Sequence, residues 1–173
     1  MEHLKAKIRQ VPDFPKPGIL YYDITTLLRD PVGLREVLDG LTEPFRDQQI
    51  DLVVGIESRG FILGAAVADR LRAGFVPARK PGKLPAGTIQ QSYDLEYGSD
   101  ALEIHQDAIE QGQRVLIVDD LLATGGTAKA GADLIEKIGA NIIALEFVIE
   151  LSFLNGRDKL NGYAVNSLIE VND

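Results

Sequence analysis

Apolar and polar positions along this chain follow two rhythms. Apolar runs at Asp51 to Ile56, Phe75 to Arg79, Val115 to Val118, Asn141 to Ile149 and Ala164 to Val171 have the pattern of parallel strands buried on both faces. Between them, apolar residues recur at spacings of three and four. Leu34, Val37, Leu38, Leu41 and Phe45 form one such stripe, and Ala128, Gly131, Ala132, Ile135 and Ile138 another; Ala65, Ala66 and Ala68 mark a small-residue helix from Phe61 to Leu71. Each predicts a helix with one face toward a sheet. Asp30-Pro31 supplies an N-cap and a first-turn proline for the first of them, and Pro44 bends or restarts its end. Strand and helix alternate, so the predicted fold is α/β: a twisted parallel sheet of about five strands with helices on both faces. Residues 1–173 read as a single domain.

The remaining segments are less regular. Leu4 and Ile8 give Glu2 to Gln10 a short helical pattern, which breaks at Pro12. Pro15, Pro17 and Gly18 then predict an extended loop that delivers Leu20 to Ile24 as an edge or hood segment. The hood spans mainly residues 10–28. Alternation at Ile89, Gln91, Tyr93, Leu95 and Tyr97 predicts a two-stranded ribbon within about 84–98, read as a mobile flap. Ala101 to Gln111 reads as a short polar helix carrying a surface His105, and Leu151 to Leu160 as a loop with a short helical turn.

Composition narrows the functional classes. With no cysteine in 173 residues, thiol catalysis, disulfides and Cys-ligated zinc are excluded; His3 and His105 are too few for a histidine metal site. No signal-like or twenty-residue apolar segment is visible, which predicts a cytoplasmic protein without membrane contact. A net charge of −8 argues against nucleic acid as a partner, so any basic cluster needs a local anionic ligand to explain it.

The stretch from Val115 to Thr127, VLIVDDLLATGGT, carries the densest chemistry. Its apolar strand is expected to end at Asp119-Asp120, the strand end where open α/β sheets bind ligands. Ala123, Thr124, Gly125, Gly126 and Thr127 then leave backbone N–H groups unobstructed at a helix start, where the dipole favours a phosphate. Asp119 and Asp120 would repel that phosphate but could accept from the two hydroxyls of an attached ribose. A bare Gly-Gly-Thr would read as an ordinary βα turn with capping threonines; the adjacent carboxylates favour a phosphosugar site. The Glu57-Ser58-Arg59-Gly60 loop also follows a strand, with an arginine that can fork onto phosphate oxygens and a glycine that admits a ligand close to the backbone. By itself it would be a helix start with a solvated arginine. Arg79, Lys80 and Lys83, bracketed by Pro81 and Gly82, form either a solvated charge run or a site for a pyrophosphate-bearing substrate.

These residues resemble the phosphoribosyl-pyrophosphate (PRPP) signature of type I phosphoribosyltransferases, in the DDLLATGGT form of the branch that acts on adenine. The resemblance extends through FPKPGILYYDIT (Phe14 to Thr25), GIESRGF (Gly55 to Phe61), RKPGKLP (Arg79 to Pro85) and SYDLEYG (Ser92 to Gly98). It implies transfer of a 5-phosphoribosyl group from PRPP to N9 of adenine, with Mg2+ held mainly by PRPP and not by protein side chains alone. Asp119 and Asp120 would hold the ribose, Ala123 to Thr127 the 5-phosphate, and Glu57 to Gly60 with Arg79, Lys80 and Lys83 the pyrophosphate. Leu20, Tyr21, Tyr22 and Leu121 would contact the base, the main chain reading its amine. Here Tyr21-Tyr22-Asp23 replaces the family's usual Phe-Arg-Asp, so a tyrosine would stand in for any stacking by that arginine. The resemblance also implies a cis Glu57–Ser58 peptide and a homodimer in which Arg79 reaches the neighbouring site. It makes Glu96 the acid–base residue, near N7 of the base, and Tyr97 a cover over the reacting ribose. An isolated Glu96 would read as a solvated glutamate on a ribbon. An oxopurine substrate, or a non-catalytic PRPP or purine sensor of the same fold, are the alternatives; a sensor usually carries an added DNA-binding segment, which this acidic chain lacks.

Overall fold

The computed structural model describes residues 2–94 and 98–172. Five parallel strands form the central sheet: β3 (Leu52–Ile56), β4 (Gly74–Ala78), β7 (Arg114–Leu122), β8 (Asn141–Leu151) and β9 (Val165–Val171), in the spatial order β4-β3-β7-β8-β9. The apolar runs become strands because both faces are covered. On one face α3 (Pro31–Thr42) and α4 (Arg59–Leu71) bury Val37, Leu41, Leu63 and Val67 against Val53, Leu116 and Val118. On the other, α5 (Gly126–Ile138) buries Ala132 and Ile135 against Val54, Ile117 and Leu145. Asp30 caps α3 by accepting from the Val32 amide at 3.2 Å, and Pro44 lies in a 3-10 turn at Glu43–Phe45. The sheet and its two helical layers agree with the expected fold.

Three boundaries differ from the sequence reading. The N-terminal helix stops at Lys5 (α1, Glu2–Lys5), and Arg9–Pro12 is a strand, β1, paired antiparallel with β2 (Leu20–Asp23). The Leu4 and Ile8 pattern reflects two apolar anchors, not a continuous helix: Leu4 is fully buried and Ile8 packs on the same core, with a turn between them. A short helix, α2 (Thr25–Arg29), then completes the hood segment.

The second difference lies in the ribbon. Ala101 to Gln111 is not a helix; Ser99–His105 is β6, the antiparallel partner of β5 (Thr88–Asp94). Ala101, Leu102, Glu103 and Ile104 are all buried, so neither an alternating nor a helical polar pattern could show. Arg79 and Glu103 exchange backbone hydrogen bonds of 2.9 and 2.7 Å, which ties β6 to the end of β4. The ribbon is therefore anchored at its base by core packing. Third, β7 does not end at the aspartates but continues to Leu122, because the eleven-residue β8 supplies partners for Leu121 and Leu122 in Ile149 and Glu150.

Candidate active site

The C-terminal ends of β3 and β7 open onto a cleft of about 520 Å³. It is lined by Glu57, Ser58, Arg59, Lys80, Lys83 and residues 119–128. The parallel β3–β7 pairing sets Gly55 opposite Val118, and so carries the Glu57 loop and the Asp119–Asp120 pair to the same edge. Gly60 completes that approach: a Cβ there would lie 2.8 Å from the Val118 carbonyl oxygen and 3.0 Å from Asp119 Oδ1. Its smallness lets the start of α4 press against β7, so the close backbone approach is to a neighbouring strand. The Glu57–Ser58 peptide is cis.

The carboxylate pair is electrostatically uneven. Asp120 is buried and salt-bridged to the Arg59 guanidinium; its amide donates to Asp119 Oδ1 at 2.8 Å. Burial, reinforced by the Asp120 charge beside it, pushes the Asp119 carboxyl well above the usual range. Burial works against the Arg59 cation, but Asp120 overrides it and holds Arg59 charged. Arg59 also lies over the Tyr21 ring, 5.7 Å from its centroid.

Beyond β7 the chain turns at Gly125, whose φ of 78° is left-handed, and α5 begins at Gly126. No side chain caps this helix. Thr124 and Thr127 therefore do not take the capping role, and the first-turn N–H groups face the cleft with the dipole behind them.

The basic loop enters from the other side, organised by Glu57. Its carboxylate accepts the Lys80 amide at 2.8 Å, pairs with Lys83 and lies 3.5 Å from Arg79 Nε. Burial raises this carboxyl, but Lys83, the Lys80 amide and Arg79 outweigh it, so the group sits below the ordinary glutamate range. Lys80 Nζ pairs with Asp100 of β6 and donates to the Tyr93 hydroxyl at 2.8 Å, which links the loop to the ribbon. Arg79 does not line the cleft; it bonds the Lys83 carbonyl at 3.2 Å and lies over the Phe61 ring.

The hood residues divide along β2. Tyr21 is half-buried, edge-on to Phe14 at 5.1 Å, and Leu20 is exposed, whereas Tyr22 is 6% exposed and belongs to the main core. The Tyr22 ring is thus directed into the protein, and among these residues only Tyr21 carries a ring near the cleft's Arg59. Leu121 lines the cleft with one side and packs on that core with the other. Glu96 and Tyr97 lie outside the described residues. Sequence reasoning misses Asp100 and Tyr93 as partners of Lys80, because it reads Ala101 to Gln111 as a helix and does not bring the ribbon to the basic loop. It also misses Gly156, whose contact with the Ala123–Gly125 backbone only tertiary packing creates.

A parallel α/β sheet with an acidic pair, an uncapped helix start and a basic loop around one cleft defines a phosphoribosyl-transfer protein, and residues 24–165 match the model of the phosphoribosyl transferase domain. The adenine phosphoribosyltransferase of Koribacter versatilis is 61% identical over 168 residues, which cover 97% of this chain and 92% of that protein. The crystal structure of the Thermoanaerobacter pseudethanolicus adenine phosphoribosyltransferase superposes with a TM-score of 0.95 at 51% identity, covering 98% and 99% of the two chains. The Saccharomyces cerevisiae enzyme, solved with adenine and an imino-altritol bisphosphate, gives 0.91 at 45% identity over 96% and 97%. This chain belongs to the adenine phosphoribosyltransferase family.

Proposed function

We propose that this chain catalyses purine salvage by transferring the 5-phosphoribosyl group of PRPP to N9 of adenine, giving AMP and pyrophosphate. The observation that carries the reading is the cleft itself. One cavity gathers the carboxyl groups of Asp119 and Asp120, the uncapped start of α5 and the cations Arg59, Lys80 and Lys83, the groups needed for the hydroxyls, 5-phosphate and pyrophosphate of a single ribose. Asp119 and Asp120 accept from the ribose hydroxyls, and the backbone of Ala123 to Thr127 takes the 5-phosphate. Arg59, Lys80 and Lys83 take the pyrophosphate, together with the backbone around Glu57, Ser58 and Gly60. Each of these cations is also paired with an internal carboxylate: Arg59 with Asp120, Lys80 with Asp100 and Lys83 with Glu57.

In the reaction the C1–O bond to pyrophosphate breaks with its electron pair on the leaving oxygen, while adenine N9 forms the new bond to C1. Glu96, hydrogen-bonded at N7, selects the tautomer with N9 free and takes the displaced proton. Tyr97 covers the ribose against water. Tyr21 and Leu121 border the base, and the main chain of residues 20–22 accepts from its exocyclic amine. The cleft's carboxylate and hydroxyl oxygens suit Mg2+, and among the described residues no three His, Cys, Asp or Glu side chains are gathered to hold a metal. The ion would be held mainly by PRPP, where it would neutralise pyrophosphate charge.

Exposed Ile62 and Phe75 on α4 and the edge strand β4, with Phe75 edge-on to the Phe61 ring that Arg79 covers, support a homodimer in which Arg79 faces the partner's pyrophosphate. Among the described residues no helix is long and apolar enough to cross a membrane, and we assign the enzyme to the cytoplasm. The deciding experiment is pyrophosphate release with PRPP, Mg2+ and each purine base in turn. Release with adenine and far less with hypoxanthine is expected; release with hypoxanthine alone makes it an oxopurine enzyme, and none with any base leaves a sensor.

A further inference from the structure

The phosphate loop is supported from behind by a segment to which nothing above assigns a role. Gly156 opens the second of two 3-10 turns, Ser152–Leu154 and Gly156–Leu160, and is buried against the loop. A Cβ on Gly156 would collide with the Ala123 carbonyl oxygen and lie 2.9 Å from the Gly125 nitrogen; a Cβ on Gly125 would collide in turn with the Gly156 carbonyl oxygen. The two backbones are packed with no side chain between them, a contact only a glycine pair permits. The segment is itself fixed. Arg157 Nε donates to Glu150 Oε1 at 2.9 Å and its Nη2 pairs with Oε2, while Nη1 bonds the Val165 carbonyl at 2.7 Å and Nη2 reaches Ser167 Oγ at 3.2 Å. Glu150 is buried and stands opposite Leu122 in the β7–β8 ladder, at the point where β7 gives way to the phosphate loop. The Arg157 bonds, more than offsetting its burial, hold the Glu150 carboxyl below the ordinary range. Leu160, 1% exposed, pins the far end of the segment in the α5-side core.

We propose that Gly156 is a positioning residue for the phosphoribosyl donor: its backbone fixes the Ala123–Gly125 turn, and the Arg157–Glu150 pair fixes Gly156. The inference rests on the assignment of that turn to the 5-phosphate. A methyl at position 156 cannot be absorbed by a side chain, because the atoms it meets are backbone, so the turn must move. N–H donors displaced by about 1 Å lose much of their alignment with a bound phosphate.

The test is calorimetric titration of ribose 5-phosphate and, separately, pyrophosphate into wild type and Gly156→Ala, with steady-state KM for PRPP and adenine. The expected result is a rise of about tenfold or more in the ribose 5-phosphate Kd and the PRPP KM, with pyrophosphate and adenine constants within about twofold. Val37→Ala, in α3 on the opposite face of the sheet, serves as the destabilised control and should leave all four constants unchanged. Wild type that binds ribose 5-phosphate beside a Gly156→Ala that binds it equally well overturns the inference alone. Wild type that ignores ribose 5-phosphate overturns the loop assignment and the inference with it. Should Gly156→Ala not fold, Arg157→Ala takes its place: a selective loss of ribose 5-phosphate affinity supports the role, and unchanged or uniformly weakened affinities reject it.

Discussion

Replacing Glu146 with glutamine should stabilise the protein at alkaline pH and change little at pH 5. Glu146 sits on β8, fully buried, opposite Val118 of β7. Asn166 donates to its Oε1 at 2.6 Å, but Oε2 is buried without a hydrogen-bond partner among the described residues. Burial, only partly offset by Asn166, pushes the carboxyl from an ordinary 4.5 to about 7. Between those values the unfolded chain has lost the proton and the native protein keeps it, so native stability from this group is complete below about pH 4.5 and is lost as pH rises to about 7. Linkage converts that displacement into roughly 3 kcal/mol at pH 8. Glutamine keeps the shape and carries no charge, so the variant should lie within about 1 kcal/mol of wild type at pH 5 and be more stable by up to about 3 kcal/mol above pH 7. The raised Asp119 carboxyl is common to both proteins and cancels in the comparison. Urea unfolding of the pair at intervals from pH 5 to 9 measures the difference directly. A stability difference that stays flat across that range, or that favours wild type increasingly with pH, would falsify the reasoning about Glu146.

Three further outcomes test the site. Asp120→Asn should fold but bind PRPP more weakly, through loss of a charge-assisted bond to a ribose hydroxyl worth about 1.5–3 kcal/mol; unchanged affinity by calorimetry rejects the role. Tyr22→Ala should cost stability, since a buried aromatic truncated to alanine loses roughly 3 kcal/mol or more and some 6–12 °C in Tm. Its preference for adenine over hypoxanthine should survive, and a collapse of that preference would make the side chain the reader of the base. Glu96→Gln should retain PRPP affinity and lose turnover by roughly 10²-fold; wild-type rates in single-turnover experiments would remove Glu96 from the chemistry.

The sequence by itself determined the elements whose pattern is enforced locally or by full burial. The runs in β3, β7 and β8 could only be strands covered on both faces, the Asp30-Pro31 start fixed α3, and the DDLLATGGT order placed carboxylates before a helix start. Motif chemistry in one contiguous stretch needs no tertiary information. What joins distant stretches was decided only by the folded chain. The helix-forming composition of Ala101 to Gln111 gave way to strand pairing with β5 and burial of four consecutive residues, which tertiary contact outweighs propensity to achieve. Tyr22 is buried in the core although its cross-strand partner Gln10 is exposed, a placement set by how the hood packs on the core and not by alternation along β2. The internal carboxylate partners of Arg59, Lys80 and Lys83, and the glycine contact behind the Ala123–Gly125 turn, lie up to 61 residues away in sequence. Their positions follow from sheet order and close backbone packing, which no local pattern encodes.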